Sequence, residues 1–266
     1  MTNLLLATLL CVLAIPLFGE VTIIGHRGSP CNAPENTLAS FRKAMEAGAD
    51  YIEFDVHLTK DKIPIVTHDP MLGRTVNVST PIAVHCLTLD ELKQYDAGVN
   101  YHQDFIGEKV PTLDEVFTLV QGKIGMMIEI KTGSADEFTL AETVMKIVKR
   151  EKSNSKDVLI ASFSPKVLQR VKEIEPKQSI IALAKEEHEI KDHQKNNPEY
   201  YGLSKDLVTE KIVSTLHKEG RKVWVWTVNS EDHGEDLVNK GVDGLITNRP
   251  MALMICKETV AAQSPR

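Results

Sequence analysis

The sequence predicts an α/β fold, a parallel sheet wrapped by helices and closed into a barrel. Three observations carry this. Short apolar runs alternate with amphipathic stretches of helical period, the pattern of parallel strands joined by crossover helices. At 266 residues the chain has the size of one α/β barrel, a fold of about 250 residues. Histidines and acidic residues recur at the ends of the apolar runs, where barrel strands deliver their chemistry.

Val21 to Gly25 reads as the first strand. Asn36-Thr37 opens a helix to Ala47, with Leu38, Phe41, Ala44 and Met45 at helical spacing and Gly48 as its stop. Ile52, Phe54 and Val56 then alternate with Glu53, Asp55 and His57, which sends the polar three to one strand face. Lys60-Asp61-Lys62 separates this strand from a second apolar run, Ile63 to Thr67. If the break is a tight hairpin, Asp55 lies opposite His68, and His26 joins them from the first strand. Residues 70–121 break the alternation. They hold a turn-rich stretch from Gly73 to Pro81, a short helix from Leu89 to Lys93, and a helix from Thr112 to Val120 opened by a Thr112/Glu115 capping box. We read them as a small insertion over the mouth of the site.

Further strands are expected at Met126–Lys131, Val158–Phe163, Ser179–Ala184, Tyr200–Ser204, Val223–Val228 and Gly244–Thr247. Helices are expected over Ala135–Lys152, Pro165–Ile174, Asp206–Gly220 and Asp232–Lys240. Glu186 to Pro198 is a loop or a frayed helix, and the tail, 257–266, is expected to be loose. This makes nine candidate strands for a barrel of eight. Either the second and third form a hairpin that distorts the barrel, or Tyr200–Ser204 is not a barrel strand.

Hydrophobic residues make up 42% of the chain and charged residues 26%, an ordinary globular balance. A net charge of −6 argues against nucleic acid as a partner. It leaves a phosphate substrate open, because a local cation can invert the field of a site. The four cysteines show no CxxC spacing, so neither a zinc site nor a framework of disulfides is expected. Leu4 to Phe18 is almost wholly apolar, too short to span a bilayer but suited to a signal peptide over residues 1–19. That reading makes 20–256 the mature barrel domain of an exported protein. The stretch lacks a basic start, so a buried N-terminal helix or strand in a cytoplasmic protein is the alternative. No other stretch is apolar enough to span a bilayer.

Glu53 and Asp55 share a face between apolar neighbours. Burying two carboxylates together is costly unless a cation or an arginine lies between them. Oxygen donors suit Ca²⁺ or Mg²⁺ rather than zinc, and flanking imidazoles can move protons. Taken singly, each residue has a plainer reading: a lone His at a strand end is usually structural, and Glu129-Ile130-Lys131 fits an exposed strand with a weak ion pair. Of Trp224 and Trp226, one is a packing residue and the other, taken as Trp226, lines the pocket.

The segments HRGSPCNAPENT, EFDVHLTKD, IVTHD, MIEIK, VWVWTVN and GVDGLITNRP resemble the glycerophosphodiester phosphodiesterase family, in order, over nearly the whole chain after the leader. The resemblance implies a distorted (β/α)8 TIM barrel with a small insertion after the third strand. It implies hydrolysis of glycerophosphodiesters to sn-glycerol 3-phosphate and an alcohol with one divalent cation, Ca²⁺ or Mg²⁺. Glu53, Asp55 and Glu129 would be its ligands and His26 and His68 the acid–base pair. Arg27 and Lys131 would hold phosphate oxygens, with Glu35, Asn36 and Trp226 completing the substrate site. Asn248 stands where many relatives have Asp. The expected partner is a small-molecule glycerophosphodiester, with no nucleic acid and no membrane span once the leader is removed. A lysophospholipase D is the neighbouring alternative, and a non-catalytic binding protein on the same barrel is the alternative of another class.

Overall fold

The structure, a computed structural model, describes residues 21–120, 122–133, 136–151 and 157–263. The expected leader and the expected helix ends Ala135 and Lys152 lie outside the described residues. The chain runs β1 (Thr22–Gly25), α1 (Leu38–Glu46), β2 (Tyr51–Leu58), β3 (Pro64–Val66), β4 (Met71–Leu72), β5 (Ile82–Ala83), α2 (Leu89–Leu92), α3 (Leu113–Val120), β6 (Gly125–Ile130), α4 (Glu137–Glu151), β7 (Val158–Ser162), α5 (Pro165–Ile174), β8 (Ile180–Ala184), α6 (Glu187–His193), β9 (Tyr200–Ser204), α7 (Glu210–Lys218), β10 (Lys222–Trp226), α8 (Glu231–Asn239), β11 (Gly244–Thr247) and α9 (Pro250–Gln263).

Eight strands, β1, β2 and β6 to β11, pair in parallel, and β1 bonds both β11 and β2 to close the barrel. β3 is the extra strand. It lies antiparallel on the end of β2, with Val56 opposite Val66 and His57 opposite Ile65. The nine candidates therefore resolve as a hairpin that distorts the barrel, and Tyr200–Ser204 is a full barrel strand. The hairpin register differs by one residue from the expectation. A two-residue turn would set Asp55 against His68. Instead Thr59 and Ile63 bond across a three-residue loop, in which Lys62 takes a left-handed φ of 65°. Thr67 N–H donates to the Asp55 carbonyl at 3.0 Å, so Thr67 and not His68 faces Asp55.

Alternation along the strands builds two cores. Ile52, Phe54, Val56 and Leu58 pack outward against the helices with Phe41, Ala44, Leu113 and Val116. Ile24, Met127, Leu159, Ile181, Trp224 and Ile246 form the inner cluster. A third cluster, with Ile65, Leu72, Val76, Val84, Leu92, Ala97 and Val110, belongs to the insertion. Sequence patterning carries the insertion to residue 121, but α3 packs with the main core through Leu113, Val116, Phe117 and Val120. It is the barrel helix between β2 and β6. Its capping box forms as read: Thr112 N–H donates to Glu115 Oε2 at 2.7 Å, and Glu115 N–H to Thr112 Oγ1 at 3.1 Å. Backbone from 257 to 263 is helical as part of α9. Pro250 starts this helix with its preset φ, and Lys257 Nζ is tied to Asp50 Oδ1 at 2.7 Å.

Candidate active site

β1 ends at Gly25, and the chain turns at once through His26, Arg27 and Gly28. Arg27 and Gly28 take φ of 54° and 89°. A Cβ on Gly28 would lie 2.5 Å from Ser40 Oγ, so only glycine fits there. Ser40, in α1, donates to the Arg27 carbonyl at 2.9 Å and accepts from Ser29 N–H at 2.8 Å. Arg27 N–H donates to Glu53 Oε2 at 2.8 Å. Helix and strand thus hold His26 and Arg27 at the C-terminal mouth, beside β2.

The parallel pairing of β2 with β6 sets Asp55 against Glu129. Glu53, Asp55 and Glu129 are all buried, and one oxygen from each lies within 4.8 Å of the others. Two cations face them. Lys131 Nζ lies 3.2 Å from Asp55 and 2.8 Å from Glu129, and Arg27 Nε lies 3.5 Å from Asp55. Asn36, at a φ of 56°, donates from Nδ2 to Asp55 Oδ2 at 2.8 Å.

Charge is unevenly shared among the three acids. Burial alone would raise Asp55, but Lys131, Arg27 and the Asn36 bond hold it well below the usual carboxylate range. Burial and the Asp55 charge push Glu129 up to about 7, and burial with both neighbouring carboxylates pushes Glu53 well up. With all three ionised, the acids would outnumber the two cations, and it is that charge which burial and mutual repulsion suppress here. An all-oxygen donor set of this kind fits a hard divalent cation; Ca²⁺ and Mg²⁺ fit equally by donor type.

His26 Nδ1 lies 2.6 Å from Asn248 Oδ1. An amide oxygen there accepts from Nδ1–H and leaves Nε2 with its lone pair. Burial, then the Arg27 charge, bring His26 down to about 4, so it is neutral at neutral pH. His68 Nδ1 lies 2.7 Å from Asp69 Oδ1, and its carbonyl contacts His57 Nε2 at 3.1 Å. His57 thus fixes the backbone beneath His68.

One cavity of about 160 Å³ gathers His26, Arg27, Glu53, His68, Glu129, Lys131 and Trp226. Trp226 Nε1 donates to the Gly202 carbonyl at 2.9 Å and its ring meets Phe163 edge-on at 5.7 Å. Trp224 is buried in the inner core between Tyr51 and Tyr200, the packing role expected of one of the two. Glu35 and Asn36, expected among the substrate-holding residues, do not line the cavity. Their polar groups are spent on Arg27 and Asp55. Among the wall residues outside the expected set, two are polar, Lys185 and Thr227. Lys185 follows the last residue of β8, so its place at a barrel strand end was the available signal. Its Nζ sits 5.0 Å above the Phe163 ring.

Fold and site define a barrel enzyme whose polar groups converge at the C-terminal ends of its strands. Residues 26–252 match the model of the glycerophosphoryl diester phosphodiesterase family. A glycerophosphodiester phosphodiesterase of Caldanaerobacter subterraneus subsp. tengcongensis is 38% identical over 88% of this chain and 97% of its own length. A Bacillus altitudinis enzyme of the same name is 32% identical over 86% of this chain and 94% of its own. A solved Oleispira antarctica phosphodiesterase, in complex with the product sn-glycerol-3-phosphate, superposes with a TM-score of 0.82 at 28% identity, covering 89% of this chain and 96% of that one. The chain belongs to the glycerophosphoryl diester phosphodiesterase family, and it is an enzyme of the glycerophosphodiester phosphodiesterase class. Among the described residues, no helix is long and apolar enough to cross a membrane.

Proposed function

We propose that the protein hydrolyses glycerophosphodiesters to sn-glycerol 3-phosphate and an alcohol, using a divalent cation and two histidines. The carrying observation is the meeting of Glu53, Glu129, His26, His68, Arg27 and Lys131 on one cavity wall. Glu53, Asp55 and Glu129 would hold the cation, which supplies charge withdrawal from the phosphate when bound. Arg27 and Lys131 draw the phosphate oxygens and offset charge as the phosphorus becomes five-coordinate. His26, neutral and with Nδ1 engaged by Asn248, takes the proton from the attacking hydroxyl, either of water or of the glycerol itself. In the second case water then opens the cyclic phosphate to glycerol 3-phosphate. His68 delivers a proton to the departing alcohol oxygen. The product of the Oleispira enzyme supports the substrate class.

The test is release of glycerol 3-phosphate from glycerophosphocholine, with and without chelator, by wild type, His26→Ala and His68→Ala. Each substitution should lower kcat by about 10²–10⁴-fold, and chelator should abolish turnover until Ca²⁺ or Mg²⁺ is restored. Turnover indifferent to chelator and to His26→Ala removes the mechanism.

A second reading, a lysophospholipase D, is favoured by one observation: Met71, Tyr101 and Ile106, all in the insertion, are large apolar residues left exposed. Faster turnover of lysophosphatidylcholine than of glycerophosphocholine would place it first. Export through a signal peptide over residues 1–19 belongs to the same proposal. N-terminal sequencing of the native protein checks it.

A further inference from the structure

Arg74 lies just beyond β4, in the connection to β5, between Leu72 and Val76, which are both buried in the insertion's own core. Its guanidinium grips Glu35 with two bonds, Nη1 to Oε2 at 2.8 Å and Nη2 to Oε1 at 2.6 Å. Its Nε donates to Asp69 Oδ2 at 2.7 Å. Each carboxylate has a second partner in the cavity. Glu35 Oε1 accepts from Arg27 Nη1 at 2.9 Å, and Asp69 Oδ1 meets His68 Nδ1 at 2.7 Å. Five side chains therefore form one chain of contacts: Arg27, Glu35, Arg74, Asp69, His68. It joins a loop that follows β1, the end of the hairpin strand β3, and the insertion.

An exposed ion pair contributes little by itself, and Arg74 is 49% exposed. This arrangement differs in two ways. The Glu35 contact is a two-bond fork, the geometry that fixes direction as well as distance. The far ends of the network are a wall arginine and a wall histidine of the same cavity. Arg74 itself is not on that wall, so its influence on the reaction passes through others.

We propose that Arg74 is a positioning residue: by spanning Glu35 and Asp69 it sets the separation and orientation of Arg27 and His68 across the cavity. The proposal rests on the reading of Arg27 as a phosphate-holding residue and of His68 as a proton donor. Removing the span frees both partners at once. Asp69 then no longer holds His68 in one rotamer, and Glu35 no longer steers Arg27. Misplacement of reacting groups by about 1 Å can cost ~10²-fold in rate.

The experiment is steady-state kinetics on glycerophosphocholine for Arg74→Ala, Arg74→Lys, Asp69→Asn, Arg74→Ala/Asp69→Asn and His68→Ala, with the unfolding midpoint of each. Arg74→Ala should lower kcat/KM by roughly 10²-fold, through both a lower kcat and a higher KM, with a midpoint within a few degrees of wild type. Arg74→Lys, one charge without the fork, should restore only one of the two parameters. The double variant should have a kcat close to that of the more impaired single variant, because both changes act on the orientation of His68. The proposal is overturned if Arg74→Ala keeps wild-type kcat and KM, or if its loss multiplies fully with that of Asp69→Asn. If Arg74→Ala does not fold, Arg74→Lys and Asp69→Asn decide alone, and wild-type kinetics in both overturn it. An inactive His68→Ala beside a fully active Arg74→Ala sinks this inference and leaves the reading beneath it intact. An active His68→Ala sinks that reading, and this inference with it.

Discussion

Asp55 and Glu53 are two residues apart on one strand, both buried, and yet their acidities are shifted in opposite directions. Asp55 has Lys131, Arg27 and Asn36 around it; Glu53 has an arginine backbone N–H and two like charges. Neutralising them should therefore have different consequences. Asp55→Asn leaves two half-buried cations short of a partner and should destabilise the protein by on the order of 3 kcal/mol. Glu53→Gln removes a carboxyl whose charged form burial and its two acidic neighbours disfavour, and should cost little. Urea denaturation in chelator compares them; equal losses would show that the charge asymmetry is wrong. Glu129 adds a sign. It holds its proton to about 7 in the folded protein and releases it near 4.5 in the unfolded chain. Its stabilising contribution is thus fully present below pH 4.5 and lost as pH rises through about 7. The proposed cation would have to displace that proton, so cation affinity should rise with pH up to about 7, with proton release on binding. Calorimetry in buffers of different ionisation enthalpy measures it; affinity independent of pH between 5 and 8 would contradict it.

At the scale of elements, the site depends on how strands end. The turn after β1 is held by Gly28 against α1, with no space for a Cβ and a left-handed φ of 89°. Gly28→Ala should destabilise the fold by about 1–3 kcal/mol. It should also lower turnover, since the same turn aims His26 and Arg27. Thermal unfolding and glycerol 3-phosphate release test the two together; a stable, fully active variant would show that the turn is not what places them. The β2–β3 hairpin shows where pattern reading stops. Polar spacing offered the hairpin as one of two readings, and a two-residue and a three-residue turn are both compatible with Lys60-Asp61-Lys62. Only Thr59 bonding Ile63 selects the longer one. α3 is similar: its capping box was readable, but its membership of the barrel depends on which core its apolar face joins.

For the whole molecule, three acids drawn from two strands would link the proposed cation to global stability. A cation at 100-fold its Kd should add about 2.7 kcal/mol, a rise of roughly 5–10 °C in the unfolding midpoint. Glu129→Gln should abolish most of it. Circular dichroism in chelator, Ca²⁺ and Mg²⁺ reads this out, and an unchanged midpoint at saturating cation would remove the cage. The fold class, the strand-ends on which the chemistry sits and the paired acids were legible from sequence, because period and burial are properties of single strands and helices. His26, His68, Glu129 and Lys131 were legible as polar residues closing apolar runs and Glu53 and Asp55 as polar positions alternating within one, while their roles came from the family resemblance. Lys185, the retreat of Glu35 and Asn36 from the cavity, Asn248 against His26 and the Arg74 bridge were not legible. Their partners are set by how separate elements meet, from Arg27 eight residues from Glu35 to Asn248, 222 residues from His26. Local pattern says which face a side chain presents, but only closure of the barrel decides what it meets there.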